Sequence, residues 1–103
     1  MDLKISIPTY RRNAFLDRCL DSLLKSYNLI DSKKYSSNIS IYIYDNNPDS
    51  IAESVYTKYL GKFDNLFYIP NNENIGANLN IQKSYYSRSK TYVHVISDDD
   101  IVL

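Results

Sequence analysis

The chain has 103 residues, 12 of them acidic and 12 basic, so its formal net charge is zero. That length allows one small domain, and the absence of net charge argues against a nucleic-acid partner, because phosphate backbones are bound by basic surfaces. The apolar runs are too short to span a membrane, no secretory signal opens the chain, and Cys19, the only cysteine, excludes an internal disulfide and fits a reducing, cytoplasmic compartment.

Apolar patterning in the first half predicts a strand, a helix and a second strand. Residues 3–7 form an apolar-rich run closed by Pro8, which is typical of a buried strand that stops sharply. Apolar residues then recur every three to four positions up to residue 27, which predicts a helix with Asn13 as its N-cap. Residues 39–44 are β-branched and aromatic and predict the second strand.

The second half repeats this alternation. A helical stripe over residues 51–60 ends at Gly61, residues 65–69 and 91–96 predict two more strands, and a weaker helical pattern lies between them. Because no hairpin signal joins the strands, we expect right-handed crossovers and parallel pairing. The predicted fold is α/β: a Rossmann-like three-layer sandwich with a parallel sheet of about four strands, in the order 3-2-1-4.

A polar cluster follows three of the predicted strands. The clusters are Pro8-Thr9-Tyr10, Asp45-Asn46-Asn47 and Asp98-Asp99-Asp100. In open parallel sheets, ligands gather at the carboxyl ends of the strands, where the strand order reverses. With the assumed order, Asp45 and the three aspartates would end about 10 Å apart across Thr9, a gap that suits a nucleoside diphosphate.

The charges at the two ends of this gap predict different contacts. Carboxylates repel phosphates, so the acidic triplet requires a divalent cation between them, and a set of oxygen ligands favours Mg²⁺ or Mn²⁺ over zinc. At the other end, Asp45 is suited to accept hydrogen bonds from a base N–H or a ribose hydroxyl.

Four segments, in this order and spacing, resemble the N-terminal half of family 2 glycosyltransferases, which have the GT-A fold: "ISIPTYRRNAFLDRCLDSLL", "IYIYDNNPDS", "NNENIGANLN" and "YVHVISDDD". The resemblance covers essentially the whole chain. It implies metal-dependent, inverting transfer of a sugar from a nucleotide-diphosphate sugar, most commonly a UDP-sugar, to a hydroxyl of a glycan or lipid-linked acceptor. In this family the catalytic base and the acceptor pocket follow the metal motif.

The resemblance therefore implies that residues 1–103 are the nucleotide-sugar-binding portion of such an enzyme and lack its acceptor half. We expect this portion alone to be inactive and to self-associate through apolar surface that the acceptor half would cover. We expect a cytoplasmic location, in solution or peripheral at the inner face of the membrane.

The resemblance also assigns the binding residues. It implies a nucleotide-binding set of Pro8, Thr9, Tyr10, Arg11, Asp45, Asn74, Gly76, Asn80 and Asp98. Arg11 and Arg12 could both contact phosphate, but arginines at a helix start more often face solvent. Many family members carry Ala-Arg-Asn where this chain has Asn78-Leu79-Asn80, so no arginine from that helix is expected at the nucleotide.

Two registers are open for the metal motif. The commonest family form is Asp-x-Asp, and alignment on the end of the strand puts Ser97 in its first position, Asp98 in the middle and Asp99 at the second aspartate. Alignment on the aspartates alone gives the pair Asp98 and Asp100. We take Asp99 as the principal ligand, with Asp98 toward the sugar or ribose and Asp100 in support.

The rival from another class is a non-catalytic α/β nucleotide-binding or signalling module. A receiver-like domain would carry acidic residues after its first strand, where this chain has Pro8-Thr9-Tyr10. That feature argues against a receiver and leaves a nucleotide-binding domain without catalysis as the alternative.

Overall fold

Strands alternate with helices throughout the computed structural model, which describes residues 2–29, 39–86 and 91–99. The elements in chain order are β1 (Asp2–Thr9), α1 (Asn13–Asn28), β2 (Ile39–Asp45), α2 (Glu53–Tyr59), β3 (Leu66–Pro70), α3 (Ala77–Ser84) and β4 (Thr91–Val95). The predicted strands and helices are all present, with ends that shift by a few residues. Asp100 lies outside the described residues, so the prediction made for it stays a prediction.

The strands form one parallel sheet in the order β3-β2-β1-β4, which confirms the predicted topology. Thr9 is in register with Asp45, and Asp45 with Pro70. On the other side, Ser6 is in register with Val95, and the Ile96 amide continues the pairing by donating to the Ser6 carbonyl at 3.0 Å. The carboxyl ends of the strands therefore share one edge of the sheet, where the predicted polar clusters follow them.

The core lies between one face of the sheet and the helices α1 and α2. Its fully or almost fully buried apolar residues include Ile7, Leu16, Cys19, Leu20, Ile41, Ile43, Val55, Tyr59, Phe63 and Leu66. Burying one such large apolar side chain contributes about 1.5–3 kcal/mol, so this layer supplies most of the stability. Helix α3 packs on the opposite face, where Asn80 donates a 3.1 Å hydrogen bond to the carbonyl of Tyr44 in β2. The three-layer arrangement is therefore confirmed.

Two predicted boundaries are wrong. Asn13 is the first residue of α1 and not its cap; the N-cap is Arg12, which makes no side-chain capping bond. The side-chain amide of Asn13 instead donates to the backbone carbonyl of Ile51 at 3.0 Å and connects α1 to the segment before α2. Pro8 does not end β1, because the strand continues to Thr9. The Thr9 carbonyl accepts a 2.9 Å hydrogen bond from the backbone N–H of Asn46.

Within the described ranges, no helix is long and apolar enough to cross a membrane.

Candidate functional site

A cleft of about 550 Å³ opens at the carboxyl edge of the sheet, between β1, β4 and the start of α3. This size lies in the range of small-molecule binding sites. Seven of the nine residues predicted to bind nucleotide line it: Pro8, Thr9, Tyr10, Asn74, Gly76, Asn80 and Asp98. Asp45 and Arg11 are not among the lining residues, whereas Arg12 and Ser97, which the prediction did not include, are.

Thr9 and Asp98 join the two central walls of the cleft. The Thr9 hydroxyl donates to Oδ2 of Asp98 at 2.9 Å, and both residues are buried. Burial raises the pKa of Asp98, and the Thr9 hydrogen bond and the nearby Arg12 charge offset this only in part. Burial therefore disfavours the ionised form of Asp98, and a cation in the cleft would stabilise that form.

Asp99 lies at the solvent side of the same edge, with 48% of its side chain exposed. Its Oδ1 accepts a 2.5 Å hydrogen bond from the Ser97 hydroxyl, which is the main reason its pKa is lowered. Asp98 and Asp99 thus differ in environment, since one is buried with a raised pKa and the other is exposed with a lowered one.

Arg12 bridges these two carboxylates. Its Nη1 lies 3.5 Å from Oδ1 of Asp98, and its Nη2 lies 3.5 Å from Oδ2 of Asp99. Each carboxylate therefore has one oxygen held by a hydroxyl and the other turned toward the same guanidinium. The sequence signal for Arg12 is only a basic residue just before α1, which does not separate it from its neighbour Arg11.

Asp98 and Asp99 supply the ligand type that a hard divalent cation takes. Mg²⁺ or Mn²⁺ is commonly bound by one or two carboxylates together with substrate phosphates and water. No group of three or more His, Cys, Asp or Glu side chains in the described part of the chain is placed to hold a metal. Asp98 and Asp99 would accordingly hold the ion together with oxygens from the ligand.

Asp45 lies at the predicted edge, but its side chain is completely buried on the face that carries α1 and α2. Its Oδ2 accepts from the backbone amide of Ala52 at 3.2 Å and from the Tyr68 hydroxyl at 2.5 Å. Burial, followed by this hydrogen bond, raises the pKa of Tyr68. Oδ1 of Asp45 is buried with no hydrogen-bond partner among the described residues. An unpartnered buried acceptor of this kind lowers the stability of the fold by about 1–3 kcal/mol, and a hydrogen bond from a ligand would restore that stability.

Asparagine side chains build the α3 wall of the cleft. Asn71 donates to Asn46 at 2.9 Å and to Asn80 at 3.1 Å, and Asn46 in turn donates to Asn74 at 2.8 Å. Asn74 and Asn80 therefore line the cleft while their side chains are held within the protein. The role of Asn46 and Asn71, which hold Asn74 and Asn80 by hydrogen bonds, was not predicted. Asparagine is also common in loops, and sequence spacing alone does not reveal a hydrogen-bond network.

Gly76 closes this wall immediately before α3. Its φ of +86° lies in the left-handed region that glycine adopts without strain, and its amide donates to Oδ1 of Asn74 at 2.8 Å. Any other residue here would strain the backbone that shapes the cleft.

Arg11 points away from the cleft and toward solvent. Its guanidinium lies 3.5 Å from Asp49 in an exposed pair and 5.7 Å from the ring centre of Tyr10. This position agrees with the solvent-facing alternative for Arg11. Of the two adjacent arginines, Arg12 is the one that lines the cleft.

A cleft at the carboxyl edge of an open parallel α/β sheet lies where such sheets bind their ligands. The family comparison gives the class: the model for glycosyl transferase family 2 matches residues 4–103, so the chain belongs to that family.

Solved structures give the fold neighbours. S. aureus TarS 1-349 superposes with a TM-score of 0.70 at 20% identity, over 97% of this chain and 28% of that one. A second S. aureus TarS structure gives a TM-score of 0.68 at 18% identity, over 96% of this chain and 17% of that one. No curated protein sequence matches significantly. The chain thus spans less than a third of the length of these structures and matches part of a GT-A enzyme.

Proposed function

We propose that this chain is the donor-binding portion of a metal-dependent, inverting glycosyltransferase that uses a nucleotide-diphosphate sugar, with a UDP-sugar as the first candidate. The observation that carries the proposal is the Thr9–Asp98–Asp99 arrangement at the mouth of the cleft. It turns two carboxylate oxygens toward one cationic group, at the edge where a diphosphate would lie.

The residues of the chain have distinct tasks in this proposal. Asp98 and Asp99 would hold Mg²⁺ or Mn²⁺, which when bound neutralises charge on the leaving diphosphate. Thr9 and Ser97 orient the two carboxylates through their hydroxyl groups. At the nucleoside end, Tyr10 lines the cleft with 41% of its surface exposed, so its ring is open to stacking by a base.

Asp45 remains the proposed acceptor for a nucleoside N–H or hydroxyl. The support is its unpartnered, buried Oδ1 at the carboxyl end of β2. Since Asp45 is completely buried and is not among the cleft-lining residues, contact with a nucleoside requires a local rearrangement at the end of β2.

The acceptor and the catalytic base are assigned to sequence outside residues 1–103. Asp98 is the one carboxylate among the cleft-lining residues of the described ranges, and it is already assigned to the cation. A glycan or lipid-linked acceptor, and the base that deprotonates its hydroxyl, would then be bound by the longer enzyme.

Calorimetry with UDP, in the presence and absence of Mn²⁺, tests the donor site. We expect binding that is stronger with Mn²⁺; an absence of nucleotide binding under both conditions would contradict the proposal and favour a module without nucleotide chemistry.

A transfer assay with a panel of sugar nucleotides and Mn²⁺ tests the missing base. We expect no sugar transfer by residues 1–103 alone, and transfer by this chain would refute the assignment of the base elsewhere.

Self-association and location are part of the same proposal. Leu79, Tyr85 and Tyr86 expose more than half of their surface on or just after α3, which supports contact with another protein surface. Sedimentation velocity over a range of concentrations tests this. The sequence has one cysteine, Cys19, so it cannot form an internal disulfide, which is consistent with a cytoplasmic location, in solution or peripheral at the inner face of the membrane.

A further inference from the structure

We propose that Arg12 is an exchangeable internal cation, which occupies the acidic pair until a divalent metal arrives with a diphosphate. The inference rests on the proposed function, since it assumes that Asp98 and Asp99 bind the metal. It adds a mechanism that makes metal and nucleotide bind together.

The geometry places Arg12 in competition with the metal. The two oxygens that face its guanidinium, Oδ1 of Asp98 and Oδ2 of Asp99, are those left over after the hydroxyls of Thr9 and Ser97 have taken the others. A metal held by both residues through these two oxygens would occupy the space that the guanidinium faces now. Arg12 and the metal would therefore compete for the pair.

The present contacts of Arg12 are weak enough to be exchanged. Both ion pairs are 3.5 Å long, and 42% of the Arg12 side chain is exposed. The Arg12–Asp99 pair, in which both side chains are partly exposed, contributes no more than about 1 kcal/mol. Asp98 is buried, and its other oxygen is held by the Thr9 hydroxyl independently of Arg12. A divalent ion carries twice the charge of a guanidinium and is attracted more strongly to two carboxylates.

Arg12 also has a second partner that does not depend on the carboxylates. The centre of its guanidinium lies 4.6 Å from the ring centre of Phe15, one turn into α1, and Phe15 is 40% exposed. This cation–π contact can persist when the guanidinium moves off the aspartates. Displacement therefore does not leave the arginine without a partner.

After the exchange, Arg12 would still line the cleft and would face the diphosphate. UDP carries about three negative charges near neutral pH, so its complex with one divalent ion keeps about one negative charge. A nearby guanidinium attracts that complex while it repels a bare metal ion. Arg12 is thus expected to oppose metal binding alone and to favour metal binding with a nucleoside diphosphate.

The test compares Arg12→Gln with Arg11→Gln in the chain of residues 1–103. Arg11→Gln is the matched control. It removes the same charge from the neighbouring residue, whose side chain pairs with Asp49 outside the cleft. Electron paramagnetic resonance measures free Mn²⁺ in titrations without nucleotide, and calorimetry measures UDP binding in the presence of Mn²⁺. Thermal denaturation checks that both variants are folded.

We expect effects of opposite sign from Arg12→Gln. Affinity for Mn²⁺ alone should rise about threefold or more, and affinity for UDP with Mn²⁺ should fall by a similar factor, whereas Arg11→Gln should change both less than about twofold. Arg12→Lys keeps the charge but lacks the fork that bridges two carboxylates, so it should raise Mn²⁺ affinity less than Arg12→Gln and largely preserve UDP binding.

Two results would overturn the inference. If the wild type binds UDP with Mn²⁺ but Arg12→Gln shifts both affinities in the same direction, or leaves Mn²⁺ affinity unchanged, the proposed function stands and the role of Arg12 fails. If the wild type binds neither Mn²⁺ nor UDP, the proposed function fails and the role of Arg12 fails with it.

Discussion

The hydroxyl of Thr9, the last residue of β1, donates a 2.9 Å hydrogen bond to Asp98, which lies 89 positions later and just beyond β4. The bond is buried, and it connects the central strand of the sheet to the acidic motif at the edge strand. Because β1 and β4 are direct neighbours, their carboxyl ends bring the two residues together only after the whole chain has folded.

The first prediction concerns this bond. Thr9→Val keeps the shape of the side chain but leaves Oδ2 of Asp98 without its donor, so we expect a loss of about 1.5–3 kcal/mol in the free energy of unfolding near neutral pH. Thr9→Ser keeps the hydroxyl and is the matched control, with a smaller loss. Urea denaturation measures both, and a loss in Thr9→Val that is no larger than the loss in Thr9→Ser would contradict the stability assigned to the hydrogen bond.

The second prediction concerns Asp45. Asp45→Asn keeps one oxygen to accept from Ala52 and Tyr68, but replaces the unpartnered oxygen by an amide that donates. We expect weaker binding of both free nucleoside and nucleoside diphosphate, by about 1.5–3 kcal/mol, because a hydrogen bond to a charged acceptor is lost. Calorimetry with uridine and UDP measures it.

Tyr68→Phe is the control for that variant. It removes a donor to the opposite oxygen of Asp45 and leaves Oδ1 as an acceptor. If Asp45→Asn lowered stability but left nucleoside binding unchanged, Asp45 would be a structural residue that anchors the segment before α2.

The third prediction separates the metal from the nucleoside. Asp99→Asn should leave the binding of metal-free uridine unchanged and abolish the Mn²⁺-dependent part of UDP binding, because the neutral amide no longer attracts the ion. Calorimetry with and without Mn²⁺ decides this. Equal effects of Asp45→Asn and Asp99→Asn on uridine and UDP would mean that the two carboxylates do not have separate roles.

The fourth prediction concerns pH and the contact between α1 and α2. Asp17 accepts from Lys58 at 2.8 Å and from the Tyr59 hydroxyl at 2.6 Å. The Lys58 hydrogen bond and then the Tyr59 hydrogen bond lower the pKa of Asp17 below its ordinary value of 3.8. A carboxyl whose pKa is lower when folded stabilises the fold fully above the unfolded pKa, and this stabilisation is lost as pH falls through the folded pKa.

We therefore expect Asp17→Asn to lower the free energy of unfolding at pH 7 by about 1 kcal/mol, after allowance for solvent screening of this partly exposed group. The difference from the wild type should shrink progressively below pH 3.8. Asp21→Asn, which breaks only an exposed pair with Lys25 in the same helix, should cost less than about 0.5 kcal/mol. A gap between Asp17→Asn and wild type that stays constant down to pH 2 would contradict the assignment.

Local patterning was enough to predict the elements and their order. The helical stripes of α1 and α2 and the β-branched run of β2 each report burial of one face, and burial drives these segments to fold. The absence of hairpin signals was enough to predict parallel pairing, and parallel pairing places the carboxyl ends of the strands at one edge.

The details of the site depended on contacts that no local pattern encodes. Arg11 was predicted to bind the nucleotide, but the backbone just before α1 directs Arg11 to Asp49 and Arg12 to the acidic pair. The complete burial of Asp45 and its hydrogen bond from Tyr68 were not predicted, because they depend on the pairing of β2 with β3.

The sequence by itself determined the α/β class, the parallel pairing and the edge at which polar groups collect, because each follows from residue periodicity and from the chirality of parallel crossovers. The strand order 3-2-1-4 was assumed at that point, and the structure shows it. Only the tertiary structure decided which side chains meet at that edge. Thr9 and Asp98, Arg12 and Asp99, and Asp45 and Tyr68 are each brought together from distant positions in the chain. Their rotamers and burial are fixed by packing between strands, and packing is a property of the folded chain that a one-dimensional pattern does not contain.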